Sequence, residues 1–220
     1  MLQHWALPVL LLAWLASSRW LDAPFADLLY GWEGGDWSLR HHLLTEDLIH
    51  RGGRVLSLLA WFALGLVTLR SWKNREACAW TRPAARLLLA TGLSALVVAS
   101  LKATNQVACP WDLAGYGGHR FFVPLFGPRV AGAGNGCFPA AHAAAGYAWV
   151  ALYYFFLDTR SRWRWAGLGV GLLSGLVFGL AQQLRGAHFA SHDLASLVVC
   201  WAIASAVHEL TRRRNPGSLA

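Results

Sequence analysis

Charged side chains are scarce in this sequence: Asp, Glu, Lys and Arg together make up 14% of its 220 residues. An ordinary soluble domain contains about 25%, so the composition argues against a water-exposed globular protein. Hydrophobic residues reach 56%, and they occur in long runs instead of the narrow stripes of amphipathic helices. The composition therefore indicates an integral membrane protein, with residues 1–220 forming a single domain.

Six apolar runs predict an all-α, polytopic protein with six transmembrane helices. The first run is short, so a signal peptide is the alternative interpretation. We prefer a retained helix, because no Lys or Arg precedes the run and no clear A-x-A cleavage site accompanies Arg19 and Trp20. The predicted spans cover residues 5–18, 55–69, 87–101, 141–157, 166–184 and 189–207.

The net charge of +8 does not indicate a nucleic-acid partner, because most basic residues lie in loops on one side of the predicted spans. The positive-inside rule assigns that side to the cytoplasm, where these residues meet anionic lipid head groups. Both termini are then cytoplasmic, and residues 19–54, 102–140 and 185–188 face the periplasm of a bacterial inner membrane. Eleven of the nineteen basic residues carry this signal: Arg70, Lys73, Arg75, Arg82, Arg86, Arg160, Arg162, Arg164, Arg212, Arg213 and Arg214.

The sequence contains no C-x-x-C pair, which argues against a zinc ribbon. Two of its four cysteines, Cys109 and Cys137, share one outward loop, while Cys78 is cytoplasmic and Cys200 lies in the sixth span. Because the outward side of a bacterial membrane is oxidising, we predict a Cys109–Cys137 disulfide. Two free thiols are the alternative.

Ionisable residues from three separate stretches share the outward edge of the predicted helices. Such residues are costly at the edge of a hydrocarbon region, so their convergence indicates a functional site. Lys102 ends the third span, His142 begins the fourth, and the stretch "QQLRGAHFASHDLASLVVCWA" contributes Arg185, His188, His192 and Asp193.

These side chains suit phosphoryl transfer without a metal. Lys102 and Arg185 could hold phosphate oxygens as negative charge develops on them. One histidine could attack phosphorus while another protonates the departing oxygen. His188 and His192, four residues apart, would also fit a zinc site completed by His142 or Asp193. The sequence has no H-E-x-x-H, and the neighbouring cations would repel a metal ion.

The same stretches carry a family resemblance. Lys102 and Pro110 fit a K-x6-R-P motif in which Cys109 replaces the arginine, "PAAH" at 139–142 fits P-S-G-H, and "GAHFASHDLA" fits the end of S-R-x5-H-x3-D. These motifs resemble those of the type-2 phosphatidic acid phosphatase (PAP2) superfamily, whose membrane members act on lipid phosphates. The elements C-P-W-D…Y-G-G and G-A-H-F-x-S-H are similar to a divergent membrane branch. The resemblance covers about residues 101–206 and implies a PAP2/chloroperoxidase-like helical core.

The resemblance implies a role for each residue that matches a motif. His188 would be the nucleophile, His142 the acid for the leaving group, and Lys102 a phosphate ligand. His192 stands where the family has the aspartate that orients the nucleophile, and Asp193 follows one residue later. We favour Asp193 for this role, because a carboxylate stabilises an imidazolium better, and leave His192 as the alternative.

Two arginine positions of the motifs are replaced. Gln182 occupies the position of the arginine in the third motif, and Arg185, three residues on, is the expected substitute for phosphate binding. For the arginine lost at Cys109 the candidate substitute is Arg120.

The expected function is a metal-independent lipid phosphatase or phosphotransferase that needs no cofactor. It would act at the outer leaflet through a phosphohistidine, with lipid phosphates as substrates and membrane lipids as partners. Two alternatives stay open: a non-catalytic carrier of lipid phosphates, and a metal-dependent intramembrane hydrolase. The individual lipid, the final phosphate acceptor and the oligomeric state do not follow from the sequence. In the first outward loop, a lid or a solvated segment, we do not expect His41, His42 or His50 to be catalytic.

Overall fold

A computed structural model describes residues 2–74, 78–123 and 136–213 of the chain. Arg75 and Arg214, used above for the predicted topology, lie outside the described residues. Within them the chain is helical apart from loops, and a lone bridge between Leu113 and Arg120 is the sole strand-like pairing. The prediction of an all-α protein is confirmed.

Eight α-helices follow one another in the described part of the chain. A π-helical turn at Ser17–Leu21 joins the first two, a longer π-helical segment at Leu43–Gly52 leads into the third, and a 3-10 turn at Ala148–Ala151 joins the fifth and sixth. The helices are α1 (Leu2–Ala16), α2 (Asp22–Trp32), α3 (Gly53–Lys73), α4 (Thr81–Thr104), α5 (Ala141–Tyr147), α6 (Leu152–Asp158), α7 (Arg164–Leu184) and α8 (Ala190–Arg213).

Four helical stretches among the described residues are long and apolar enough to cross a membrane: Leu43–Lys73, Thr81–Thr104, Arg164–Leu184 and Ala190–Arg212. This fits an integral membrane protein. The other two predicted spans are helical but differ from these four. The apolar part of α1 is the shorter Ala6–Ala16, and residues 141–157 form two short helices joined by the 3-10 turn. Six spans therefore remain a prediction.

Large apolar side chains cover the outer surface of α3. Leu56, Phe62, Leu66 and Leu69 each expose more than 60% of their surface. A continuous apolar surface of this kind is unfavourable in water and favourable against lipid chains. The exposure pattern supports placing α3 at the lipid boundary.

A row of buried glycines on α7 lets the helices behind the site pack closely. Gly171 lies against the backbone of Val150, and Gly175 lies against the ring of Tyr147, so a side chain at either position would overlap its neighbour. Small residues at such a contact allow two helices to approach further than leucines would. This close packing fixes α5 against α7, and thereby fixes where α5 begins.

The order of the helices brings the predicted site to one end of the bundle. α4 and α7 end there, while α5 and α8 begin there. A core of small and aromatic residues on α4, α5, α6 and α8 lies behind this end, including the fully buried Val98, Ala143 and Cys200. The site residues are therefore held by helix ends with a packed interior beneath them.

Candidate active site

A tight turn between α7 and α8 sets the position of the first histidine. Gly186 adopts a φ of 68°, which favours glycine, and its Cα is covered by the indole of Trp37. Its carbonyl accepts a hydrogen bond from the amide of Trp111 at 2.9 Å. His188 follows two residues later, before α8 begins at Ala190. The turn is thus held by contacts with two loops, one carrying Trp37 and the other carrying Trp111.

His188 and His192 lie against each other in the interior. Their Nδ1 atoms are 3.4 Å apart, and 7% and 3% of the two residues is exposed. Both rings also form hydrogen bonds to the backbone of Cys137. Burial holds the pKa of His188 well below its usual value of 6.5, and the nearby His192 and Lys102 act in the same direction. A neutral imidazole keeps the lone pair that a nucleophile needs.

A disulfide positions the backbone that contacts these histidines. Cys109 and Cys137 are bonded to each other, with their Cα atoms 5.3 Å apart. Next to the bridge, the amide of Cys137 donates to the carbonyl of Val107 at 2.9 Å, and the side chain of Asn105 donates to the carbonyl of Phe138. The segment before α5 is thereby fixed to the end of α4.

Lys102, in the last turn of α4, supplies a positive charge beside the two histidines. Its charge acts on both His188 and His192. It is half-buried, and within the described residues its ammonium group forms no hydrogen bond to the protein. A cation in this condition is available to a bound anion.

His142 lies in the first turn of α5 and is held by a residue of the segment Leu43–Gly52. Its Nε2 lies 2.6 Å from the carbonyl oxygen of His50, and the two rings are 4.0 Å apart. Because a carbonyl oxygen only accepts, Nε2 of His142 must carry a proton in this contact. The remaining nitrogen, Nδ1, is the one that can exchange a proton with a substrate.

Arg185 is buried at the α7–α8 turn and is fully engaged with the protein. Its Nε donates to the carbonyl of Arg40 at 2.8 Å, and one terminal nitrogen donates to Oε1 of Gln182 at 3.3 Å. The other terminal nitrogen lies 3.7 Å from Oε1 of Glu46. Arg185 thus joins the segment that carries Arg40 and Glu46 to the α7–α8 turn. Its use as a phosphate ligand stays a prediction.

The structure differs from our preference for Asp193 as the residue beside the nucleophile. Asp193 accepts a hydrogen bond from the side chain of Gln183 and packs against Gly179, so it faces α7. His192 is the residue whose ring contacts His188. The reason is the helical phase: position 193 lies about 100° further round α8 than position 192.

Arg120 lies in the loop after the disulfide cysteine. Its amide donates to the carbonyl of Asp112 at 2.7 Å, and its carbonyl accepts from the amide of Ala114 at 2.8 Å. These contacts fix its backbone within the loop. Its assignment as a replacement for the arginine lost at Cys109 stays a prediction.

Sequence reasoning missed two contributions from the N-terminal part of the chain. Asp22 accepts hydrogen bonds from the amide of Ser191 at 2.9 Å and from its hydroxyl at 2.5 Å, and so holds the first turn of α8. The segment Leu43–Gly52 brings Glu46 and His50 to the site. A buried aspartate within the apolar run "WLDAPF" was the signal for the first; no local pattern indicated the second.

Metal ligands do not cluster in the described residues. No group of three or more His, Cys, Asp or Glu side chains there has a geometry that could hold a metal ion. His188 and His192 contact each other directly, with the positive charge of Lys102 nearby.

Comparison with known proteins found one family. The family model for the PAP2 superfamily matches residues 83–216, which is more than half of the chain. No match was found among the curated proteins or among the solved structures. The matched region includes every ionisable residue predicted for the site, and it excludes the segment Leu43–Gly52.

Proposed function

This chain belongs to the PAP2 superfamily, and from that premise we propose that it is a membrane lipid phosphatase that works through a phosphohistidine on His188. Membership in the superfamily indicates phosphatase-type activity on phosphate esters. The observation that carries the finer proposal is the meeting of Lys102, His142 and the buried His188–His192 pair at one end of the bundle.

In the first step the neutral ring of His188 attacks the phosphorus atom of a lipid phosphate. The P–N bond forms as the bond to the lipid oxygen breaks. That oxygen takes the Nδ1 proton of His142, which enters the step as an imidazolium with a proton on each nitrogen, beside the negatively charged phosphate. Lys102 stabilises the negative charge on the phosphoryl oxygens during the transfer. His192, in contact with His188, keeps the attacking ring in place.

In the second step water takes the place of the lipid. His142, now lacking its Nδ1 proton, accepts a proton from the water as its oxygen attacks phosphorus. The P–N bond breaks, inorganic phosphate leaves, and His188 returns to its neutral form. Both histidines end each cycle as they began it.

A cavity beside the site supports a lipid as the substrate. Its volume is about 490 Å³, and it lies between α3, α4 and α5 with apolar walls that include Trp61, Phe62 and Val98. His142 lines the same cavity, and Phe62 is also 61% exposed on the outer surface of α3. A hydrocarbon chain in this space would place its polar end near the catalytic acid.

The orientation of the site in the membrane rests on charge. The described basic residues of the α3–α4 and α6–α7 loops lie at the opposite end of the helices from His188. By the positive-inside rule this arrangement supports a site at the outer leaflet of the inner membrane.

The test is phosphate release by the detergent-purified protein from a panel of lipid phosphates, with excess EDTA. The matched variants are His188→Gln and, as a control, His119→Gln, which changes an exposed loop histidine. We expect release that survives EDTA and disappears only in His188→Gln, together with an acid-labile phosphate on the wild type. Release abolished by EDTA would favour a metal-dependent hydrolase. Tight binding of lipid phosphates without release would favour a carrier.

A further inference from the structure

The segment Leu43–Gly52 places the carboxylate of Glu46 beside the guanidinium group of Arg185. Oε1 of Glu46 lies 3.7 Å from a terminal nitrogen of Arg185 and 3.1 Å from a terminal nitrogen of Arg51. The side chain of Arg185 is 7% exposed and that of Glu46 is 18% exposed, so the contact lies at the edge of the buried region. Glu46 is therefore an anion already bound at the α7–α8 turn.

Among the described residues, Glu46 is the carboxylate that pairs with Arg185, and Asp47 acts on Arg185 more weakly. The carbonyl of Arg40 and the amide oxygen of Gln182 are neutral acceptors, whereas Glu46 brings a full negative charge. The neighbouring Arg40 and Arg51 add positive potential at the same place. An incoming phosphate and the Glu46 carboxylate would therefore bind to the same cations.

We propose that Glu46 is a specificity-determining residue of the phosphate site, occupying Arg185 until a substrate phosphate displaces it. The proposal rests on the proposed function, because it takes Arg185 to be a phosphate ligand in the occupied state. It goes beyond the family resemblance, since Glu46 lies outside the matched residues 83–216.

The remaining partners of Glu46 give it a place to move. Its Oε2 lies 2.9 Å from Nδ1 of His41, and Arg51 also pairs with Asp47 at 2.8 Å. The side chains of His41 and Arg51 are 75% and 66% exposed. Glu46 can therefore leave Arg185 while keeping two partners that extend into solvent, and the charge it carries stays compensated.

A ligand that must displace the Glu46 carboxylate binds better when it carries more negative charge than that carboxylate. A phosphate monoester with two negative charges gains more from Arg185 than the singly charged Glu46 does, whereas a phosphodiester carries one charge and has little advantage. The expected preference is for doubly charged monoesters and diphosphates over diesters.

The experiment measures anion binding directly, without turnover. The full-length protein in detergent is titrated calorimetrically with inorganic phosphate, methyl phosphate and dimethyl phosphate at a pH where the first two are mainly doubly charged. The variants are Glu46→Gln, Glu46→Ala and the matched control Asp47→Asn. Asp47 pairs with Arg51 next to Glu46. Among the described residues it forms no ion pair with Arg185 and acts on it more weakly than Glu46 does.

We expect inorganic phosphate to bind about tenfold more tightly to both Glu46 variants, since the competing charge is gone. In the same variants, the affinity of the protein for methyl phosphate should exceed its affinity for dimethyl phosphate by a smaller factor than in the wild type. Asp47→Asn should tighten phosphate binding much less than the Glu46 variants do, because Asp47 acts on Arg185 more weakly. Thermal unfolding of each variant verifies that the fold is intact. Equal phosphate affinities in Glu46→Gln and Glu46→Ala would attribute the change to the lost charge and not to altered packing.

Three results would overturn the proposal. Unchanged or weaker phosphate binding in both Glu46 variants would show that Glu46 supports the site instead of occupying it. Equal tightening in Asp47→Asn would show a general effect of surface charge. Lack of phosphate binding to every variant would remove Arg185 as a ligand. In each case lipid phosphate release by the wild type decides separately whether the proposed function stands.

Discussion

Nε2 of His142 donates a hydrogen bond to the backbone carbonyl of His50, at 2.6 Å, across 92 positions of sequence. The contact assigns the proton on one nitrogen of the imidazole and leaves Nδ1 for proton transfer. The ring of His50, 4.0 Å away, covers the same histidine from the side. The proposed catalytic acid is thus oriented by the backbone of a loop that sequence reasoning treated as a lid or a solvated segment.

The first prediction concerns the leaving group. His142→Gln should lower kcat/KM for a lipid phosphate by about a hundredfold to ten-thousandfold, because kcat/KM reports the first step and the departing alkoxide there needs a proton. With p-nitrophenyl phosphate the loss in kcat/KM should be less than about tenfold, since that leaving group is stable as an anion. Steady-state kinetics with the two substrates measure the contrast. An equal loss on both would assign His142 to phosphate binding instead of acid catalysis.

The second prediction separates the two candidates beside the nucleophile. His192→Asn removes the ring that contacts His188 and should lower kcat by about a hundredfold, because a small displacement of a reacting group is costly. Asp193→Asn keeps the shape of a side chain that faces Gln183, so kcat should change less than about tenfold. A larger loss of kcat in Asp193→Asn than in His192→Asn would instead support Asp193 as the residue that orients His188.

The third prediction follows from the buried position of His188. In the unfolded chain this histidine gains a proton near pH 6.5, whereas in the native protein burial keeps its pKa well below that value. The unfolded state therefore binds more protons below pH 6.5, and the free energy of unfolding falls as the pH is lowered from there. The contribution reaches about 1.4 kcal/mol per pH unit. Denaturant unfolding in detergent should show a shallower pH dependence for His188→Gln than for the wild type or His119→Gln.

The fourth prediction concerns the disulfide. Cys137→Ser should lower the free energy of unfolding by about 3 kcal/mol, as expected for closing a loop with a separation of 28 residues. Phosphate release should fall as well, because the backbone of Cys137 contacts both His188 and His192. Cys78→Ser, at an exposed free cysteine, is the control. Full activity and stability in Cys137→Ser would show that the packing of the segment, and not the bond, positions the histidines.

Much of this molecule is determined by local sequence. Long apolar runs indicate membrane helices because a hydrocarbon region accepts few charges, and the helices of the structure overlap each predicted run. The motif residues Lys102, His142 and His188 were found because they break such runs at their ends. The match to the PAP2 superfamily confirms the family that those residues indicated.

Only the tertiary structure decided which side chains meet. The choice between His192 and Asp193 depended on where α8 begins and how it is rotated, and periodicity alone does not fix either. The contacts of Glu46 with Arg185 and of His50 with His142 join residues more than ninety positions apart. Such contacts depend on how distant segments of the chain pack against one another. Local patterns report the period of a helix, and packing decides what that helix faces.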